Sequence, residues 1–251
     1  MPLVKRFGPP AAGAIVDIAP TASDETAWFA DIISDIIYSF EKEAGRRPLI
    51  ALSGGTTPGS IYARLAVAHP TLVRRALWCQ ADERDVAPND PASNSGMICR
   101  TLFGTQPTDP PAHFLTVSLP ASDACSAALA YARLLSTHLA KLDTGSIDIV
   151  LLGIGEDGHT ASLFPGTDWR TRSEPLFAAV DAALPAGRRY TLTLKSILEA
   201  KHRIFIVRGE AKAEIVRRIL LEAPDNLPSG AIVRAAETRW LLDAGSATKL
   251  E

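Results

Sequence analysis

An α/β fold, with a mostly parallel sheet carrying helices on both faces in a Rossmann-like arrangement, follows from three features of this 251-residue chain. Short apolar runs alternate with segments of helical hydrophobic period, and glycine-rich stretches follow the runs ending at Leu52 and Leu152 directly. The composition, 47% hydrophobic against 22% charged, is that of a globular chain with ample apolar surface to bury. Alternation of this kind favours parallel pairing, because a parallel partner is reached only through a crossover long enough to hold a helix. One domain over residues 1–251 is expected, since no fixed-period repeat, low-complexity tract or linker divides the chain.

Taken in order, the first helix is read over Ser23 to Ala44, with Ser23 as capping candidate and Trp28, Ile32, Ile36, Ile37 and Phe40 as its apolar face. Pro48 to Leu52 is a short strand. After a glycine-rich turn Pro58 opens a helix to about Ala68, since a residue without an N–H loses nothing in the first turn. Ala76 to Gln80 and Ser93 to Phe103 repeat the strand–helix pair, and helix Ala121 to Leu142 leads to strand Ile147 to Leu152. Tyr190 to Leu194 and Arg203 to Val207 are further strands, the second followed by helix Gly209 to Leu221. Pro107 to Pro111 and Pro224 to Pro228 mark surface loops.

A formal net charge of -2 gives no global attraction to nucleic acid or to an anionic membrane, so a small-molecule partner is expected. Cys79, Cys99 and Cys125 form an odd, widely spaced set without a CxxC pair, which argues against a disulfide framework or a zinc site and fits a reducing cytoplasm. Near the N-terminus, Pro9, Pro10, Gly13 and Asp17 interrupt any apolar stretch after Lys5 and Arg6, and no later run is long enough to span a bilayer.

The chemistry concentrates at the ends of strands. Gly153 to Gly166 follows the apolar run Ile147 to Leu152 and contains His159, with Asp157 near enough to orient the imidazole and Gly158 permitting an unusual backbone. Ligands of open α/β sheets gather at the carboxyl ends of strands, which places His159 at a cleft mouth. Gly153, Gly155 and Gly158 match the dinucleotide spacing, but Pro165 and Gly166 stop the helix that the fingerprint requires.

Ser53-Gly54-Gly55-Thr56-Thr57-Pro58-Gly59 joins strand to helix and suits an anion, because its backbone N–H groups and the helix N-terminus point the same way. The same loop also reads as a plain βα turn, or as a loosened nucleophile elbow with Ser53 attacking and His159 as base. Against the elbow, Thr56, Thr57 and Pro58 read as loop before the helix. Asp82-Glu83-Arg84-Asp85 follows another strand and by default is a solvated charge cluster. Beside a bound phosphate, however, Arg84 would offer a bidentate fork, each charge-assisted bond contributing roughly 1.5 to 3 kcal/mol. Arg188, Arg189 and Lys212 are further candidate cations.

Together these segments resemble the 6-phosphogluconolactonases of the oxidative pentose phosphate pathway. The resemblance runs through Leu52 to Pro58, Asp82-Glu83-Arg84 with Pro88 and Ser93-Asn94, Gly153 to Gly166, Arg188 to Leu194, Gly209 to Ala213, and Leu227 to Leu242. Its most specific block is Asp157 to Pro165. The glucosamine-6-phosphate deaminases are similar in the Ser-Gly-Gly loop and the Asp-Gly-His core. They typically continue Ile-Ala-Phe-Asn-Glu-Pro after the histidine, where this chain has Thr160-Ala161-Ser162-Leu163-Phe164-Pro165, and carry an aromatic residue in place of Arg84. Ser95-Gly96 and Lys195 depart from the lactonase pattern, which bears on affinity rather than on reaction class.

The resemblance implies a sugar-phosphate isomerase/lactonase-like fold and hydrolysis of 6-phospho-D-glucono-1,5-lactone by a cytoplasmic monomer needing no cofactor or metal. It implies His159 as general base oriented by Asp157, with backbone N–H groups around Gly158 to Ala161 receiving the oxyanion. Ser53, Gly54, Gly55, Thr56, Asp82, Arg84, Arg189 and Lys212 are the substrate- and phosphate-binding set it implies. A deaminase or isomerase, and a sugar-phosphate-binding module without catalysis, remain the alternative readings.

Overall fold

The computed structural model describes residues 3–20, 24–142, 145–171, 176–181 and 187–250. In chain order they form β1 (Leu3–Phe7), β2 (Ala14–Ile18), α1 (Glu25–Ala44), β3 (Leu49–Leu52), α2 (Thr56–Ala68), α3 (Pro70–Arg75), β4 (Leu77–Gln80) and β5 (Asp82–Arg84). Then come α4 (Asn94–Ile98), continued by a π-helical turn (Cys99–Phe103), β6 (Phe114–Leu115), α5 (Ala124–Leu139), β7 (Ile149–Leu152), β8 (Phe177–Asp181) and β9 (Arg188–Leu192). α6 (Leu194–Glu199), β10 (His202–Val207), a 3-10 turn (Glu210–Lys212), α7 (Ala213–Glu222), α8 (Pro228–Ala235) and β11 (Thr238–Leu242) complete the order.

An eight-stranded sheet runs β1-β2-β11-β10-β7-β3-β4-β6, and every neighbouring pair in it is parallel except β1 with β2. Successive residues of its central strands feed opposite hydrophobic layers, as the period of a strand requires. Leu49 and Ala51 of β3 and Val150 and Leu152 of β7 pack with Leu135 of α5, Ile219 of α7 and Ile232 of α8. Ile50, Leu52, Ile149 and Leu151 pack instead with Ile33 of α1, Ile61 of α2 and Leu72 of α3. The parallel α/β reading therefore holds, with helices on both faces.

The crossover from β3 through α2 leads to β4 on one side, whereas β7 is followed along the sheet by β10 and β11 on the other. The connections part between the adjacent strands β3 and β7, and a crevice opens at their carboxyl ends.

Several expectations are corrected. Tyr190 to Leu194 is not a strand of the parallel sheet: β9 lies antiparallel between β5 and β8 in a separate three-stranded sheet. Only Ala81 separates β4 from β5, so the chain leaves the main sheet there and pairs with β9. Helix α1 is capped by Asp24, whose carboxylate accepts from the Thr26 and Ala27 N–H groups at 3.1 Å each, while Ser23 lies outside the described residues. Its buried stripe is Phe29, Ile33, Ile37 and Phe40, spaced four, four and three apart, with Trp28, Ile32 and Ile36 only partly buried beside it. Pro228 is buried and opens α8 instead of lying on a surface loop. The helix read over Ser93 to Phe103 changes to π pitch at Cys99. Among the described residues no helix is long and apolar enough to cross a membrane.

Candidate active site

At the crevice between β3 and β7 lies a cleft of about 290 Å³, walled by residues from the carboxyl ends of β3, β7 and β10 and by the β5–α4 region. Ser53, Gly54, Gly55, Thr56, Asp82, Arg84, His159 and Lys212 all line it, so most of the residues singled out in the sequence converge. A second cavity of about 370 Å³ opens where β10 and β11 begin, against α1, and contains none of them.

Helix α2 begins at Thr56, two residues before Pro58, with Gly55 at its N-cap in a positive-φ conformation (φ 112°) and no side chain capping it. The Gly54, Gly55, Thr56 and Thr57 N–H groups have no acceptor among the described residues, which leaves a helix N-terminus with open donors. Close approach explains Gly54: a Cβ there would lie 1.7 Å from Asn94 Oδ1. Asn94 in turn donates to the Asp82 carbonyl at 2.9 Å and accepts from Arg84 Nη1 at 2.7 Å. Arg84 Nη1 also donates to the Ala92 carbonyl at 2.6 Å, so neutral acceptors orient the guanidinium and leave its charge available.

The acidic cluster beside it is not solvated, as the default reading had it. Glu83 is 1% exposed, and its two oxygens accept from Gln80 Nε2, Ser93 Oγ and the N–H groups of Arg84, Asn94 and Ser95 at 2.7–3.2 Å. Asp82 is buried too and accepts from Ser162 Oγ at 2.9 Å. Burial pushes its carboxyl above the usual range, and the Arg84 charge and the Ser162 hydrogen bond pull it back.

His159 sits on the loop after β7. Its Nδ1 lies 2.6 Å from Asp157 Oδ1, which also accepts from the His159 N–H at 3.0 Å. One carboxylate oxygen thus fixes both the ring and the backbone that carries it. Nε2 has no hydrogen-bond partner among the described residues, and the ring lies 4.8 Å from that of Phe164, centroid to centroid. Gly155 makes the arrangement possible, because a Cβ there would stand 2.1 Å from His159 Nδ1. Beyond it, Thr160 Oγ1 donates to the Gly153 carbonyl at 2.8 Å, and the Ser162 N–H donates to Thr191 Oγ1 of β9 at 3.1 Å.

The expected oxyanion donors narrow. The Gly158 N–H is spent on the Gly155 carbonyl and that of His159 on Asp157, whereas Ala161 lines the cleft with its N–H unengaged among the described residues and its backbone at φ 48°. A non-glycine residue held there stores strain, of order 1–3 kcal/mol, as functional loops commonly do.

Arg189 departs from expectation. It faces Arg84 in the β5–β9 register but does not line the cleft, and its buried Nε has no hydrogen-bond partner among the described residues. Burial, then the Arg84 charge, lowers its guanidinium pKa. Lys212 lines the cleft from the 3-10 turn before α7, with Nζ 3.8 Å from Glu156 Oε1. Ser53 Oγ is buried without a hydrogen-bond partner among the described residues and is therefore not paired with His159 as an elbow nucleophile would be.

Sequence reasoning missed Arg208, which lines the cleft from the residue after β10. The rule that selects His159, position at the carboxyl end of a parallel strand, also selects Arg208. The departures at Gly96 and Lys195 lie off the cleft: a Cβ on Gly96 would stand 2.1 Å from the Pro88 carbonyl oxygen, and Lys195 pairs with Glu199 at 3.6 Å on the surface. Cys79, Cys99 and Cys125 are free thiols.

A family model described as glucosamine-6-phosphate isomerases/6-phosphogluconolactonase matches residues 21–240. A 6-phosphogluconolactonase of Nostoc sp. is 32% identical over 243 residues, spanning 94% of this chain and 98% of that protein. One of Synechocystis sp. is 35% identical over 205 residues, 77% of this chain and 81% of the relative. Among solved structures, the 6-phosphogluconolactonase from Trypanosoma cruzi superposes with a TM-score of 0.78 at 28% identity, covering 94% of this chain and 96% of that one.

Proposed function

The chain belongs to the glucosamine-6-phosphate isomerase/6-phosphogluconolactonase family, and from that premise we propose how its cleft hydrolyses 6-phospho-D-glucono-1,5-lactone to 6-phospho-D-gluconate. The observation that carries the mechanism is the 2.6 Å contact of His159 Nδ1 with Asp157, which leaves Nε2 unpartnered on a ring that lines the cleft.

An imidazole whose Nδ1–H is held by a carboxylate presents a basic Nε2. That atom removes a proton from a water molecule as the water oxygen bonds to the lactone carbonyl carbon, C1. The carbonyl oxygen becomes an oxyanion, which the free Ala161 N–H is placed to receive. Collapse of the tetrahedral intermediate breaks the bond from C1 to the ring oxygen, and the proton on Nε2 passes to that departing oxygen. The product is the open-chain acid, its carboxyl proton lost to solvent, with His159 restored to its neutral form.

The remote phosphate supplies orientation. Open N–H groups of Gly54, Gly55 and Thr56 at the start of α2, the Arg84 guanidinium from β5 and the Lys212 ammonium from the 3-10 turn form a donor set suited to a dianion. Gripping that group holds C1 beside His159 and converts binding energy into proximity. Arg189, in register with Arg84, adds positive potential from outside the cleft wall. The same reading makes the enzyme a cytoplasmic monomer, in keeping with its free thiols; light scattering giving a single-chain mass tests the second part.

The test is His159→Asn assayed on freshly generated phosphorylated lactone, with spontaneous hydrolysis subtracted. We expect kcat to fall about 10²- to 10⁴-fold with KM changed little. Wild-type turnover in that variant would overturn the general-base role. Ammonia release from glucosamine 6-phosphate by the wild type, without lactonase activity, would overturn the reaction itself.

A further inference from the structure

Arg208 is the cleft cation that the mechanism above leaves without a role. Its position is built rather than incidental. The N–H of the next residue, Gly209, donates to both oxygens of Asp243 at 3.0 and 2.9 Å, and Asp243 Oδ1 also accepts from the Ser246 N–H at 2.7 Å. That anchor, just past the end of β11, pins the turn presenting Arg208 and Lys212. The guanidinium is then clamped by the first turn of α1: Nη2 donates to Glu25 Oε2 at 3.0 Å and Nη1 to Thr26 Oγ1 at 3.2 Å.

The Arg208 side chain is 31% exposed and Glu25 25%, so the pair is partly screened from water. Two of five guanidinium N–H donors are engaged, and Nε has no partner among the described residues. A structural tie between α1 and β10 would not need to line the cleft. Arg208 does so, beside the open N–H groups of the Ser53–Thr57 loop and Lys212. Its remaining donors suit an anion with several acceptor oxygens at that end.

We propose that Arg208 is a specificity-determining cation for the phosphorylated end of the substrate, and that Glu25 is a positioning residue that holds it in place. The inference rests on the lactonase reading and deepens it, by adding a cation and a helix to the anion grip. A monoanionic or neutral group at that end would gain less from the added charge than a phosphate dianion.

The test measures kcat/KM of wild type, Arg208→Gln, Arg208→Lys, Glu25→Gln and Glu25→Asp on 6-phosphogluconolactone and on unphosphorylated gluconolactone. Affinity for inorganic phosphate is measured by calorimetry, and a thermal melt confirms that each variant is folded. We expect Arg208→Gln to lower the preference for the phosphorylated lactone about 10- to 100-fold, chiefly through KM, and to weaken phosphate binding. Lysine should restore part of the preference. Glu25→Gln should raise KM for the phosphorylated lactone with kcat nearly constant, and Glu25→Asp should recover part of the loss.

A folded Arg208→Gln enzyme with the wild-type preference and wild-type phosphate affinity would overturn the proposal while leaving the lactonase reading intact. A wild type that hydrolyses neither lactone would overturn that reading, and the phosphate titration of wild type against Arg208→Gln would still decide whether Arg208 grips the anion.

Discussion

Glu83 shows how a side chain that does not line the cleft can shape it. Its carboxylate is the common acceptor for five donors from β4, β5 and the start of α4, and two of them belong to Arg84 and Asn94, which line the cleft. Replacing it by glutamine turns one acceptor into a donor facing donors, and charge-assisted bonds become unsatisfied groups. Glu83→Gln should lower stability by about 3 kcal/mol, read by urea denaturation at pH 7; an unchanged midpoint would show that the network repacks. The sequence places Asp82-Glu83-Arg84 at a strand end correctly but misjudges its exposure, because nothing local says that a second sheet closes over it. His159, Asp157 and the Ser53–Thr56 loop were legible for the opposite reason: glycine spacing and position after an apolar run are local signals. Arg189 was misplaced by the same second sheet, which holds it in register with Arg84 but away from the cleft wall.

Among the elements, those with a long apolar period or a continuous apolar run were readable, and the short or capped ones were not. Strand β6 has two residues and β5 three, too few for a period to show, and α6 and α8 are short helices whose order comes from packing. The π-helical turn is equally silent in sequence. It carries Phe103, whose ring meets that of His113 edge-on at 5.2 Å. Burial lowers the His113 pKa, which couples this corner to pH. As pH falls, the unfolded chain takes up the proton first, near the ordinary value of about 6.5. Stability is therefore complete above that value and is lost as pH falls through the folded-state pKa. His202, lowered in the same direction by burial, adds to the slope. Melting temperature should drop between pH 7.5 and 5.5, and less steeply in His113→Asn; superimposable slopes would remove His113 from the account.

Across the whole molecule, the parallel sheet divides the core into two layers that share strands but not helices. Ile61 of α2 and Ile219 of α7 are each 0% exposed and belong to opposite layers. Truncating either to alanine should cost about 2–5 kcal/mol. The double variant should be additive within about 0.5 kcal/mol in denaturant melts, and strong coupling would mean that the sheet transmits packing strain from face to face. The layered architecture was legible because burial on both faces leaves uninterrupted apolar runs. The antiparallel sheet was not, because β5 is three residues long and pairs with β9, which lies far along the chain.

That smaller sheet has one more effect. The loop bearing His159 is buttressed through Ser162 by Thr191 of β9 and Asp82 of β5, whereas the open amides of residues 54–57 hang from the main sheet at the end of β3. The distance from those amides to His159 therefore depends on both sheets, because the histidine loop leaves the main sheet at β7 and leans on the smaller one. On the proposed mechanism the cleft would then work as a calliper, gauging substrate length by how the two sheets abut rather than by any single side chain.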